Sequence, residues 1–138
     1  MNKGLKFKSQ WGQEYTVELE IQQYLDNDCM HIDLIEQGNR EPYSNLTVNL
    51  GRKVPAYCAY IDTNNLPEAI RFIEDNNLGE FTNIVGLSGF CEYPLYLFHP
   101  DRLRELCPDG MEMYEKNIGV TPPQKKEVSR SPQSCPLV

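Results

Sequence analysis

The chain predicts an α+β fold, an antiparallel sheet of about five or six strands with one main helix packed on one face and a short C-terminal helix beside it. Three stretches carry that expectation. Apolar side chains alternate strictly over residues 15–22, and over 30–36 Met30, Ile32 and Leu34 share one face, the signature of half-buried strands. Residues 66–77 repeat Leu66, Ala69, Ile70 and Ile73 on one helical face between cap signals. Residues 93–98 form an apolar, aromatic strand.

Taken in order, residues 5–7 form a short edge strand among lysines, and Trp11-Gly12 turns the chain. Tyr15, Val17, Leu19 and Ile21 face one way, with Thr16, Glu18, Glu20 and Gln22 opposite. The turn residues 26–28 join this strand to the next, in which Met30, Ile32 and Leu34 share a face, so the two make an antiparallel hairpin. Residues 39–45 read as polar loop, and residues 46–50 as a third strand ended by Gly51. Residues 56–62 are almost continuously apolar, which places a fourth strand centrally with both faces covered. Asn65 as N-cap, Pro67 in the first turn and Glu68 in a capping-box position start the helix, and Gly79 stops it. Residues 83–90 read as a strand broken by Gly86 and Gly89, and Pro94 puts the start of the last strand on an edge. Residues 101–106 form a short helix halted by Pro108, and residues 111–116 add a further helical turn. Residues 1–119 are expected to be a single domain, and residues 120–138, with four prolines and little apolar content, a disordered tail.

The 138 residues carry a net charge of −7, unevenly spread. Residues 9–115 hold 19 acidic and 6 basic side chains, whereas lysines and an arginine cluster at the two ends. Nucleic-acid binding relies on concentrated Lys and Arg, so direct nucleic-acid contact by this body is disfavoured; an acidic surface can dock on a basic protein, and keeping the chain soluble is the simpler reading of the same charge. There is no run of about 18 apolar residues, and the start MNKGLKFKSQW has no apolar leader, so the expectation is a cytoplasmic protein without membrane contact. The five cysteines are widely spaced, without a Cys-x-x-Cys pair, and read as free, packed thiols. Two histidines with no short-spaced ligand pair leave no metal or other cofactor expected. Neither a Walker loop nor a dinucleotide-binding glycine pattern occurs.

The one catalytic combination the residue types allow is Cys91 as nucleophile, His99 as base and Asp62 as orienting carboxylate. Against it stands packing as the ordinary role of a strand cysteine, so the expected catalytic set is none. For binding, Ser88, Phe90, Tyr93 and Tyr96 around a glycine turn and Glu18 and Glu20 on the polar face of a strand are the candidates. A small-ligand sensor with a pocket beside that turn is a third possibility.

Asp62-Thr63-Asn64-Asn65, Leu78-Gly79, Ser88-Gly89-Phe90-Cys91 and Tyr93-Pro94-Leu95-Tyr96 together resemble a family of uncharacterised small proteins, a domain of unknown function, carried on bacterial conjugative elements and phages. The resemblance covers residues 46–98 and implies no catalytic residues. It implies an accessory protein that binds a host or competitor protein. Joined to the acidic body, it suggests a nucleic-acid-mimicking inhibitor of a host defence protein.

Overall fold

The computed structural model describes residues 3–119 apart from 10 and 26, and the proline-rich tail lies outside the described residues. The elements run β1 (Leu5–Lys8), β2 (Glu14–Gln23), β3 (Met30–Glu36), β4 (Pro42–Asn45), β5 (Thr47–Val48), β6 (Cys58–Ile61), α1 (Ala69–Asp75), β7 (Gly79–Ser88), β8 (Cys91–Phe98), α2 (Pro100–Leu106) and α3 (Pro108–Ile118). The class is α+β. The strands do not form one sheet of five or six: they divide into two antiparallel sheets, ordered β1-β2-β3-β4 and β5-β6-β8-β7.

The expected hairpin is present, with Leu19 opposite Leu34 and Ile21 opposite Ile32. Its alternation sends Val17, Leu19, Ile21, Met30, Ile32 and Leu34 into the interior. There they meet Ala59 and Ile61 of β6, Tyr96 and Phe98 of β8, and the buried sides of all three helices in one core. Every residue of β6 is buried, because its outer side chains Cys58 and Tyr60 join Tyr93 and Leu95 in a second, smaller cluster under Val48, Leu50 and Val54. The sheet is therefore covered on both faces over β6, as the unbroken apolar run requires.

The division into two sheets comes from residues 42–48. The stretch read as polar loop contains β4, and the strand read over 46–50 is only the two-residue β5. Leu46 between them points into the core, its N–H bonded to Ile32 O at 2.9 Å, and the chain passes there from one sheet to the other. The ladder of β6 with β8 stops at Tyr60 opposite Leu95, next to Pro94, which has no N–H to give. The start of β8 thus lies beyond that ladder, as Pro94 suggested.

Helix α1 is shorter than the expected 66–77 and is capped differently. Its N-cap is Glu68, without a side-chain cap bond. Asn65 does not cap; the buried carboxylate of Asp62 instead receives the Asn65 N–H at 3.2 Å and the Asn65 Nδ2 at 3.0 Å, holding a turn ahead of the helix. A carboxylate so placed competes for local donors more strongly than an amide. Residues 111–116, read as one helical turn, belong to the eleven-residue α3. Gly79 begins β7 rather than merely ending a helix, and β7 runs unbroken to Ser88 except for a bulge between Phe81 and Ile84. Gly86 sits inside it because a Cβ there would meet the Tyr60 ring at 2.5 Å and Leu50 Cδ1 at 2.8 Å.

The strongest polar fastening joins α2, α3 and the β5–β6 connection. Glu115 is fully buried and accepts from Arg104 Nε at 3.0 Å, from Arg104 Nη2 at 2.6 Å and from the Tyr57 hydroxyl. Tyr57 has φ 66, and its N–H donates to the Tyr114 hydroxyl at 3.0 Å. Burial would raise the Glu115 carboxyl, but the hydrogen bonds from Arg104 and Tyr57 outweigh it and hold the pKa below the ordinary value of 4.5. Burial, and then the bond to Glu115, push the Tyr57 phenol up to about 12.

A depressed carboxyl pKa contributes stability that is present above the unfolded-state value and lost as pH falls through the folded one. Arg104→Met leaves Glu115 charged and buried, so at neutral pH the variant loses about 3–5 kcal/mol in urea unfolding. In that variant only the Tyr57 hydrogen bond opposes burial, so the Glu115 pKa rises relative to the parent and the deficit shrinks as the pH is lowered through the carboxylate range. A deficit that is constant with pH contradicts the pairing.

Candidate functional site

Two surfaces bring candidate residues together. The first is the β7–β8 hairpin. Ser88 and Cys91 face each other across the two-residue turn Gly89-Phe90, with Gly89 at φ 62. Glycine at the first central position is what a type II′ hairpin turn needs, and this turn suits the right-handed twist of the strands. Phe90, second in the turn, is fully exposed. Behind it Phe81, Val85 and Leu87 stand on the face that continues from the core, Ile84 and Leu97 stand on the other, and all five are exposed. β7 ends its sheet, so no strand among the described residues covers its outer edge.

The sequence candidates divide at this hairpin. Ser88 and Phe90 are exposed at its tip, whereas Tyr93 and Tyr96 are buried. Tyr96 belongs to the main core, and its ring packs against Phe81 at 5.7 Å between centroids. Tyr93 belongs to the smaller cluster, where its hydrogen bond with Cys91 and then its burial raise its pKa. Both tyrosines shape the base of the hairpin rather than its contact surface, a correction to the sequence expectation. Their parity explains it: Tyr93 follows Leu95 to one covered face, and Tyr96 follows Phe98 to the other.

The second surface is a cleft of about 610 Å³ between β2, the β3–β4 turn and the start of α3, lined by Glu18, Glu20, Gln22, Gln37, Arg40 and Asp109. Glu18 is buried and held by Arg40 Nη1 at 2.7 Å and Gln37 Nε2 at 3.0 Å. Its charge is thus matched within the chain. Glu20 lies directly opposite Asp33 in the β2–β3 ladder, two carboxylates side by side. Asp33 Oδ1 has His31 Nε2 2.8 Å away, and the His31 ring stacks on Tyr24 at 4.5 Å.

The catalytic combination is not assembled. Cys91 opens β8 and His99 follows its last residue, so eight extended steps of about 3.3 Å hold them on the order of 26 Å apart. Asp62 spends both carboxylate oxygens on Asn65. Among the described residues no group of three or more His, Cys, Asp or Glu side chains is placed to hold a metal ion. Of the four described cysteines, Cys58 and Cys107 are buried, Cys29 and Cys91 are half-buried, and none is in a disulfide.

Residues 18–118 match a domain of unknown function, DUF4313. The chain belongs to the DUF4313 family. No curated protein and no solved structure matches it. The DUF4313 match begins within β2 and ends at the last residue of α3, so it takes in the hairpin, the cleft and the Arg104–Glu115 pair and leaves out β1. It reaches well beyond the 46–98 region that carried the sequence resemblance. No helix of the described residues of this DUF4313 chain is long and apolar enough to cross a membrane.

Two structural features of the DUF4313 fold escape sequence reasoning. The Arg104–Glu115–Tyr57 group, with Glu115 buried between two half-buried partners, leaves no signal, since each residue alone reads as an ordinary surface residue. The apolar edge strand did leave one: residues 81–91 contain no ionisable charge except the thiol of Cys91. Native-state iodoacetamide labelling with peptide mapping tests the separation of Cys91 from His99. Cys91 should react at the rate of an ordinary accessible thiol, and His99→Ala should leave that rate unchanged. A marked slowing in His99→Ala would mean that the two residues meet.

Proposed function

We propose that this DUF4313 chain is a non-enzymatic protein-binding accessory module that docks its acidic face on a basic protein. The observation that carries the reading is how the body disposes of its cations. Arg40 is paired with Glu18, Arg71 with Asp75, Arg102 with Glu105, and Arg104 with Asp101 and Glu115. Four of the six basic residues in the acidic stretch 9–115 are thereby matched inside the chain. The carboxylates left in surplus away from the β1 lysines, among them Glu20, Glu41, Asp109 and Glu112, give the cleft side of the first sheet and the start of α3 an anionic field. Such a field steers basic partners and fixes their orientation more than it adds affinity.

A protein that normally handles nucleic acid presents the complementary charge. The resemblance to proteins of conjugative elements and phages supports a host defence protein as that partner, bound in the cytoplasm, with occlusion of its nucleic-acid surface as the mechanism. Glu18 is a scaffold of this face rather than a contact, because Arg40 already satisfies it. Glu20 and Asp109, at the mouth of the cleft, are the contacts the reading assigns.

The test is capture of host proteins on immobilised full-length chain, identification by mass spectrometry, and titration of the purified captured protein. Raising salt and the double reversal Glu20→Lys, Asp109→Lys should each weaken binding several-fold, since each exposed charge contributes up to about 1 kcal/mol. Binding that resists both changes rules out the acidic face as the docking surface.

A further inference from the structure

We propose that two copies of the chain associate through β7, antiparallel, about a two-fold axis at Val85. The proposal rests on the edge strand and is independent of the acidic face, which lies on the other sheet. Phe81 is 42% exposed, Ile84 53%, Val85 45%, Leu87 57% and Phe90 107%. With about 150–250 Å² for a fully exposed side chain of this size, the hairpin presents on the order of 500–600 Å² of apolar surface. That is the larger part of the roughly 800 Å² per partner that a standard interface buries.

The backbone is oriented for the pairing. The residues that close a two-residue hairpin turn exchange both of their hydrogen bonds, so Ser88 points its N–H and C=O at Cys91. By alternation Leu87 and Val85 point theirs away from β8. The Arg52 guanidinium follows this direction, donating from Nη2 to Leu87 O at 2.5 Å. An open N–H and C=O at Val85, flanked by apolar side chains, is a template for a further strand. The bulge at residues 82–83, where Asn83 has φ 70, limits the pairing to residues 84–86 about the Val85 axis.

Charge selects a second copy as the occupant. β7 is uncharged through its centre, carries Glu80 at its base and has Arg52 held against it near the tip. A two-fold antiparallel arrangement at Val85 sets the tip of each hairpin beside the base of the other. Arg52 of each copy then lies on the side of Glu80 of the second copy, and the two Glu80 carboxylates stay at opposite ends. The strand is its own complement in strand polarity and charge, and an isologous contact closes on itself without growing into a filament.

Sedimentation equilibrium of the full chain, from roughly micromolar to roughly millimolar concentration, reads the association. The expected result is a monomer–dimer equilibrium that Val85→Lys or Leu87→Lys weakens at least tenfold, with the circular dichroism of each variant unchanged because both sites are exposed. Glu80→Arg and Arg52→Glu should each weaken the dimer, and the two together should restore it. A monomer at every concentration overturns the proposal, as does a dimer indifferent to both lysine variants. A charge swap without restoration overturns the antiparallel arrangement.

Discussion

A buried charged carboxylate, Glu115, constrains how the second half of the chain packs. Glu115 is fully buried, and a buried charge left unpaired costs several kcal/mol, so every element near it is arranged to supply donors. Arg104 reaches it from α2, across the single residue Cys107 that ends one helix and begins the next. Tyr57 reaches it from the connection before β6. To do so Tyr57 adopts a left-handed backbone, a strained choice for an aromatic residue that its own bonds offset. Its N–H is bonded to the Tyr114 hydroxyl, its C=O receives the Phe98 N–H at 2.8 Å, and its hydroxyl meets Glu115. One interaction thus fixes the helices and the entry to β6 relative to the end of β8.

This fastening decides what remains outside. With the base of β8 locked at Phe98 and β6 covered on both faces, the far half of β8 and its partner β7 extend beyond the ladder to β6. Arg52 and the bulge occupy parts of the outer edge, two devices by which sheets limit uncontrolled pairing. The apolar side chains between them remain exposed. The first sheet turns a different surface to solvent, in which Glu20 and Asp33 stand side by side above a cleft. The two surfaces differ in chemistry and lie on different sheets, so a contact on one leaves the other exposed.

How much of this is legible in the sequence depends on whether a residue acts through period or through partners. The alternation from Tyr15 and from Met30 identifies β2 and β3, and the unbroken apolar run before Asp62 identifies a strand covered on both sides, because burial and period are local consequences of residue order. The single-sheet expectation fails at residues 42–48, where Pro42, Ser44 and Asn45 look like a loop while their backbone still pairs with β3. The helix start was assigned to Asn65 from its type, but the stronger acceptor is Asp62, three residues upstream. β7 was read as interrupted because Gly86 suggests a break; its actual cause, the Tyr60 ring and Leu50 pressed against that position, is tertiary. Among candidate site residues, Phe90 and Ser88 are exposed as their turn position implies. Tyr93 and Tyr96 required knowledge of which neighbours cover each face, and the Cys91–His99 pairing required a fold-back that a straight strand denies.

The claim that joins these observations is that the fold holds an unfinished sheet edge outward for a second copy to complete. Backbone amide exchange of the full chain, followed residue by residue at low and at high protein concentration, tests it most directly. Exchange at Val85 should slow as concentration rises, while the core amides of Leu19, Ile32 and Ile61 keep their rates. Exchange along β7 that is fast and the same at both concentrations would contradict it.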